Sequence, residues 1–187
     1  MREPAKSIRV YSDTDWAGCI KTRKSTQGGV VLLGGCCIKS WSSTQNLIAL
    51  SSGEAEHYGV VKAASVALGT QAMLRDMGCD LPIEVMTDAS AAKGIATRKG
   101  LGKTRHIQVH YLWVQERVSN GDIILKKVWG AENPADLLTK YLCKDKIAKC
   151  LSLYGLVHEA GRAELAPELS SKVGSIAYIA PNTRWRV

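Results

Sequence analysis

The sequence predicts a mixed α/β fold: a five-stranded sheet whose first three strands run antiparallel, flanked by helices. Three observations carry this. Three β-patterned segments come first, a long stretch with helical period follows, and single β segments then alternate with helical ones, which requires crossover connections. The predicted order is βββ-α-β-α-α-β-α.

Ile8 to Ser12 (I-R-V-Y-S) alternates apolar and polar residues, as a half-buried strand does. Gly29 to Leu33 and Cys37 to Ser42 are the next two strands, joined by a turn at Gly34-Gly35. From Ser52 to Met77 the period changes, with Ala55, Gly59, Ala63, Val66, Ala67, Thr70 and Leu74 at helical spacing, so this is one long helix or two abutting near Gly69. Ile83 to Asp88 is a short strand, and Ser90 to Arg98 a helix opened by a Ser cap. His106 to Val118 has helical spacing, and Asn120-Gly121 turns the chain into a strand over Asp122 to Trp129. Asn133 as cap, Pro134 at the first helical position and Asp136 in the first turn start a helix that continues to Leu142. The domain is expected to span residues 8–142. Residues 143–187 form a C-terminal extension, a short helix over Lys144 to Val157 and then a loose, aperiodic tail.

The chain has 187 residues, 45% of them hydrophobic, enough for one core without disulfides. Its longest apolar stretch, Val30 to Ile38, is broken by two glycines and far too short to cross a membrane as a helix. With no apolar leader at the start, an intracellular location, cytoplasmic or nuclear, is expected. The six cysteines form no C-x-x-C pair and have no histidine at ligand spacing, so they are expected as buried thiols rather than zinc ligands. Trp16, Trp41, Trp113 and Trp129 are expected in the core. Lysine and arginine exceed acids by 25 − 17 = 8, and Lys93 to Arg105 holds five basic residues and no acid. That run is either a solvated loop or a footprint for a polyanion such as nucleic acid.

Four carboxylates fall at element ends: Asp13, Glu56, Asp88 and Asp136. Capping and dipole effects explain acids in first helical turns in general, and Ser51-x-x-Glu54 matches a capping box that accounts for Glu54. Glu56 differs, because Val60, Ala63 and Ala67 continue its stripe and its side chain should face the sheet. Asp88 ends an apolar strand expected mid-sheet, where ligand sites of α/β folds gather. Asp13 and Asp15 share a strand face, and either suits a turn before Gly18. Carboxylates that converge without enough lysine or arginine repel one another unless a divalent cation compensates, and Mg²⁺ suits oxygen ligands. The pattern leaves two readings open, a metal cluster or scattered capping and surface roles.

Several motifs in order resemble the RNase H domain of copia-type LTR retrotransposon Pol polyproteins: Tyr11 to Gly18 (YSDTDWAG), Arg23 to Gly28 (RKSTQG), Ser40 to Gln45 (SWSSTQ), Leu50 to Tyr58 (LSSGEAEHY), Thr87-Asp88 with Ser90-Ala91, Thr104 to Ile107 (TRHI), and Ala135-Asp136 with Thr139-Lys140. The resemblance covers about Ile8 to Leu142. It implies an RNase H-like fold and a catalytic, metal-holding tetrad of Asp13, Glu56, Asp88 and Asp136. It also implies cleavage of the RNA strand of an RNA–DNA hybrid with two Mg²⁺ ions about 4 Å apart, Mn²⁺ being a possible substitute. A reverse transcriptase domain is the implied partner, expected outside this chain.

Ser12, Thr14, Ser90 and Asn133 are expected at the 2′-hydroxyls of the RNA strand. The basic loop, with Lys93, Arg98, Lys99, Lys103 and Arg105, is expected on the DNA strand's phosphates, with Arg23 and Lys24 as a second contact. His106 and His110 either approach nucleic acid or serve as buried or capping groups. One departure stands out: many RNase H enzymes carry a histidine before the last helix, and Gly130-Ala131-Glu132 has none, so that either turnover is slower or Glu132 substitutes. The alternative to an enzyme is a catalytically silent nucleic-acid-binding remnant of the same fold.

Overall fold

Alternation of buried Ile8 and Val10 with outward Arg9 and Tyr11 produces the first strand, β1, which spans Ile8–Asp15 in the computed structural model and so runs past the expected Ser12. The structure describes residues 4–100, 102, 106–107 and 111–156. Strands β2 (Thr26–Leu33) and β3 (Cys36–Thr44) are likewise longer than the apolar pattern alone indicates. Polar Asp13 to Asp15 pair in antiparallel register with Gly28, Gln27 and Thr26, so backbone pairing carries the strands beyond their apolar segments. Gly34 and Gly35 turn β2 into β3 with φ of 57° and 76°, a conformation favouring glycine.

Strands β4 (Ile83–Thr87) and β5 (Ile123–Lys127) complete a sheet of order β3-β2-β1-β4-β5. Pairing of β1 with β4 and of β4 with β5 is parallel. Helix α1 (Ser52–Asp76) is continuous: Gly69 sits on its exposed face with nothing near its Cβ position, so it interrupts no packing. The buried face of α1, with Val60, Ala63, Ala64, Ala67 and Leu74, joins Ile8, Val10, Val31, Ile83 and Val85 in the main core. Each fully buried valine or isoleucine there contributes about 1.5–3 kcal/mol, each alanine less. Small residues let the helix lie close; a Cβ on Gly59 would stand 2.6 Å from Thr14 Oγ1.

Helix α2 (Ser90–Thr97) begins one residue earlier than read, with Ala89 as its cap residue; Ser90 caps nothing, and the Ala89 amide donates to Thr87 Oγ1 instead. Helix α3 covers only Trp113–Ser119 of the expected 106–118. Within that range His106 and Ile107 are turn and bend, and residues 108–110 lie outside the described part. The segment is anchored by tertiary contacts rather than helical ones: Ile107 is buried beside Ala55 and Tyr58, and buried His57 donates from Nε2 to the Tyr111 carbonyl at 3.1 Å.

After β5 two short 3₁₀ turns, Gly130–Glu132 and Pro134–Leu138, replace the expected helix to Leu142. Asn133 and Pro134 start the second turn as read, the Asn133 side chain accepting from the Ala135 amide. It stops at Thr139 because Thr139 and Lys140 take Asp13 as partner and the chain is drawn onto the sheet. Leu137 and Leu138 pack there with Val30 and Leu32, below Tyr154 from the end of helix α4 (Lys144–Leu153). Tyr154 donates to the Pro134 carbonyl, and its own carbonyl accepts from Cys37.

Two expectations about burial fail. Cys79 and Cys143 are exposed, Cys19, Cys36 and Cys37 half-buried, and only Cys150 is buried; all six thiols are free. Apolar neighbours in sequence do not bury a residue that sits in a loop or at an edge. Trp16 and Trp129 are 47% and 74% exposed, both lying past the ends of strands, whereas Trp41 and Trp113 pack against the core. No helix among the described residues is long and apolar enough to cross a membrane.

Candidate metal and active site

The sheet register builds a notch. Strands β1 and β4 are paired only as far as Ser12 with Thr87, so the last residues of β1 have no neighbour on the β4 side. Asp13 lies just beyond that limit on β1, inside the strand rather than closing it, and Asp88 just beyond it on β4. Helix α1 adds Glu56 from just past its first turn. One oxygen of each of these three carboxylates lies within 4.8 Å of the other two. Three elements far apart in sequence thus meet at the carboxyl ends of adjacent parallel strands, the usual place for ligands in such sheets.

The electrostatics of this trio are unfavourable as they stand. Burial, and then the neighbouring Asp13 and Asp88, push the Glu56 carboxyl up to about 8. Its Oε2 is buried with no hydrogen-bond partner. Burial followed by Asp13 also raises Asp88. Like charges in a partly dry site either take up a proton or gather a cation. The donor set, carboxylate oxygen only with one oxygen unengaged, fits a hard divalent ion such as Mg²⁺.

Asp136 reaches the cluster through a mediator. Lys140 Nζ donates to Asp13 Oδ1 at 2.9 Å and to Asp136 Oδ1 at 2.8 Å, and Thr139 donates to Asp13 Oδ2. Burial alone would lower the Lys140 ammonium, but its hydrogen bonds to Asp136 and Asp13 outweigh that and hold it above the usual lysine range. Burial raises Asp136, and the Lys140 bond opposes that rise. Sequence reasoning singled out Asp136 and passed over Thr139 and Lys140 as site residues, although Lys140 stands at i+4 from Asp136, the spacing of a helical ion pair.

Glycines let the surrounding loops approach. A Cβ at Gly28 would stand 2.7 Å from Leu138 Cβ, and one at Gly130 3.1 Å from Asp88 Oδ2. Glu132 is outside the trio and instead lines a groove with Tyr11, Trp129 and Lys149. Ser51 caps α1 by accepting from the Glu54 amide, but Glu54 reaches one residue past the cap: Oε2 accepts from the Leu50 amide and from His106 Nε2, and Oε1 from the Tyr58 hydroxyl. His106 is thereby tied to α1; His110 lies outside the described residues.

Of the residues expected at RNA 2′-hydroxyls, three are sealed inside. Ser12 and Thr14 are 0% and 6% exposed under α1, because their side of β1 faces the helix. Asn133 is 3% exposed and spends its amide on the Ser12 carbonyl and its own turn. Ser90 is exposed and accepts from Lys127. Arg23 and Lys99 are exposed, Lys24, Lys93 and Arg98 half-buried, and Lys103 and Arg105 lie outside the described residues.

No family model matches the chain. It is 30% identical over 151 residues to the retrovirus-related Pol polyprotein from transposon TNT 1-94 of Nicotiana tabacum, an alignment covering 80% of this chain and 11% of that protein. It is 32% identical over 142 residues to the Pol polyprotein from transposon RE2 of Arabidopsis thaliana, covering 74% of this chain and 10% of the relative. The chain therefore spans about a tenth of the length of these relatives. Among solved structures, RNase H1 of Halobacterium salinarum matches with a TM-score of 0.50 at 18% identity, over 71% of this chain and 93% of that one. The N-terminal RNase H domain of a Mycobacterium tuberculosis protein matches with a TM-score of 0.50 at 16% identity, over 78% of this chain and 98% of that one.

Proposed function

For a homologue of plant-transposon, retrovirus-related Pol polyproteins that is folded as an RNase H domain, we propose hydrolysis of the RNA strand of an RNA–DNA hybrid, with Asp13, Glu56, Asp88 and Asp136 as the metal-holding carboxylates. The observation that carries this is the close trio of buried Asp13 with half-buried Glu56 and Asp88, in which one buried Glu56 oxygen has no hydrogen-bond partner. Neutralising that cluster is the requirement a divalent ion meets.

In this reading Asp13, on β1 and 0% exposed, is the fixed ligand. Glu56 and Asp88 set the width of the notch from α1 and β4, and Asp136 closes it from the 3₁₀ turn. Bound there, Mg²⁺ supplies water activation and charge relief for phosphodiester hydrolysis, with Mn²⁺ a substitute. The half-buried floor lowers the effective dielectric, so each fixed charge counts for more than it would in open water. Arg23, Lys24, Lys93, Arg98 and Lys99 are proposed to hold the hybrid's phosphates, with Lys103 and Arg105 from the same basic run. Ser90 remains the one proposed 2′-hydroxyl contact on the surface.

The rival reading, a silent binding module, draws on Lys140, which already neutralises part of the cluster. One assay separates them: the chain mixed with an end-labelled hybrid and Mg²⁺. The expected result is RNA fragments with 5′-phosphate and 3′-hydroxyl ends and an intact DNA strand. Tight binding of the hybrid without cleavage would overturn the nuclease reading in favour of the silent module.

A further inference from the structure

Lys140 is not a carboxylate ligand, yet it occupies the place where one would look for a cation. Its ammonium spans Asp13 and Asp136, at 2.9 and 2.8 Å, while Thr139 engages the second oxygen of Asp13. Both oxygens of a carboxylate only 1% exposed are therefore taken by neighbours from one short segment. The Lys140 side chain itself is 40% exposed and lines a cleft of about 370 Å³ with Asp15, Gly18 and Thr26. Asp15 follows Asp13 by two residues on the same strand face, about 7 Å away along the strand and within reach of a lysine stem. The motif's second aspartate thus borders the space into which Lys140 would move.

Resting on the metal-dependent reading above, we propose that Lys140 is a built-in counter-ion: it holds Asp13 and Asp136 together without metal, competes with the divalent ion for Asp13, and passes to Asp15 when metal binds. It is a positioning residue and takes no part in bond breaking. A monovalent charge on a tether neutralises buried Asp13 and half-buried Asp136 well enough for the fold to form, and a divalent ion at the same carboxylates displaces it by its larger charge. A lysine that merely stapled the last turn to the sheet would act differently, since removing a staple loosens the carboxylates and weakens metal binding.

The two roles predict opposite signs. Wild type, Lys140→Met and Lys140→Arg are titrated with Mn²⁺ alone, free ion being followed by electron paramagnetic resonance, and melted in parallel without metal. Counter-ion competition predicts that Lys140→Met binds Mn²⁺ about tenfold more tightly, melts lower without metal and recovers when it is added; Lys140→Arg stays near wild type. Equal or weaker binding by Lys140→Met, with wild type still binding and cleaving, overturns this inference alone. A wild type that takes up no Mn²⁺ and cuts no hybrid overturns the metal-dependent reading and this inference with it. Amine acetylation of unmodified protein, read by mass spectrometry, gives a check that needs no variant. Lys140 should react several-fold faster when Mn²⁺ is present, and an unchanged rate contradicts its release.

Discussion

Glu54 and Glu56 stand two residues apart near the start of α1, Glu54 in its first turn and Glu56 just beyond it, and meet opposite fates. Glu54 receives hydrogen bonds from the Leu50 amide, the Tyr58 hydroxyl and His106. Burial alone would raise its carboxyl, but those bonds hold it below its ordinary value. Glu56 is turned toward Asp13 and Asp88, keeps a buried oxygen with no partner, and is pushed up to about 8. The first carboxylate is finished by the protein; the second is left for something else to finish. The difference teaches that spacing by two on a helix, about 200° of rotation, separates a carboxylate satisfied by its neighbours from one that is not.

The sharpest way to test that contrast is at the functional end. Asp88→Asn keeps side-chain volume and removes one charge from the trio, so hybrid cleavage should fall at least about a hundredfold with the melting temperature unchanged or raised; retained activity would break the assignment. At the structural end, Glu54→Ala strips the partner from buried Tyr58 and should cost about 2 kcal/mol by chemical denaturation, while the folded protein cuts hybrid within a few-fold of wild type. If Glu54→Ala abolished cleavage at full stability, the division of labour between the two glutamates would be wrong.

A smaller effect lies in the pH dependence of the metal-free protein. The Glu56 pKa rises from 4.5 to about 8 on folding, so the folded state binds the extra proton and stability falls as pH rises through that interval. Buried His57 is lowered by burial from 6.5 to about 4, so its contribution falls as pH drops below 6.5 and has the opposite slope. Between pH 6.5 and about 8 Glu56 acts without His57, and denaturation curves should show a loss of about 1–2 kcal/mol across that window. Glu56→Gln should flatten the slope, and so should saturating Mg²⁺, which keeps the carboxylate ionised in the folded state. A stability that stays level in wild type would mean that Glu56 carries no such burden.

Much of this arrangement was legible in the chain. Apolar periodicity found all five strands and α1, because burial against one sheet leaves an unambiguous pattern. Stripe position alone separates Glu56 from Glu54. Other features obey rules that periodicity does not register. Strand ends paired through the backbone put Asp13 inside β1. Ser12 and Thr14 lie inward, on the strand face that buried Ile8 and Val10 already mark as inward, which removes them from contact with nucleic acid. The last turn became 3₁₀ because Thr139 and Lys140 bind an aspartate on β1, a tertiary preference that no local propensity encodes.

The central claim is that Asp13, Glu56 and Asp88 form one site for a divalent cation. Crystals soaked in Mn²⁺ and measured at the manganese absorption edge test it without reference to activity. The account predicts anomalous density flanked by those three carboxylates, with Glu56 Oε2 directly on the ion and the density lost in Glu56→Gln. Manganese bound elsewhere on the molecule, with no density among the three carboxylates, would contradict it.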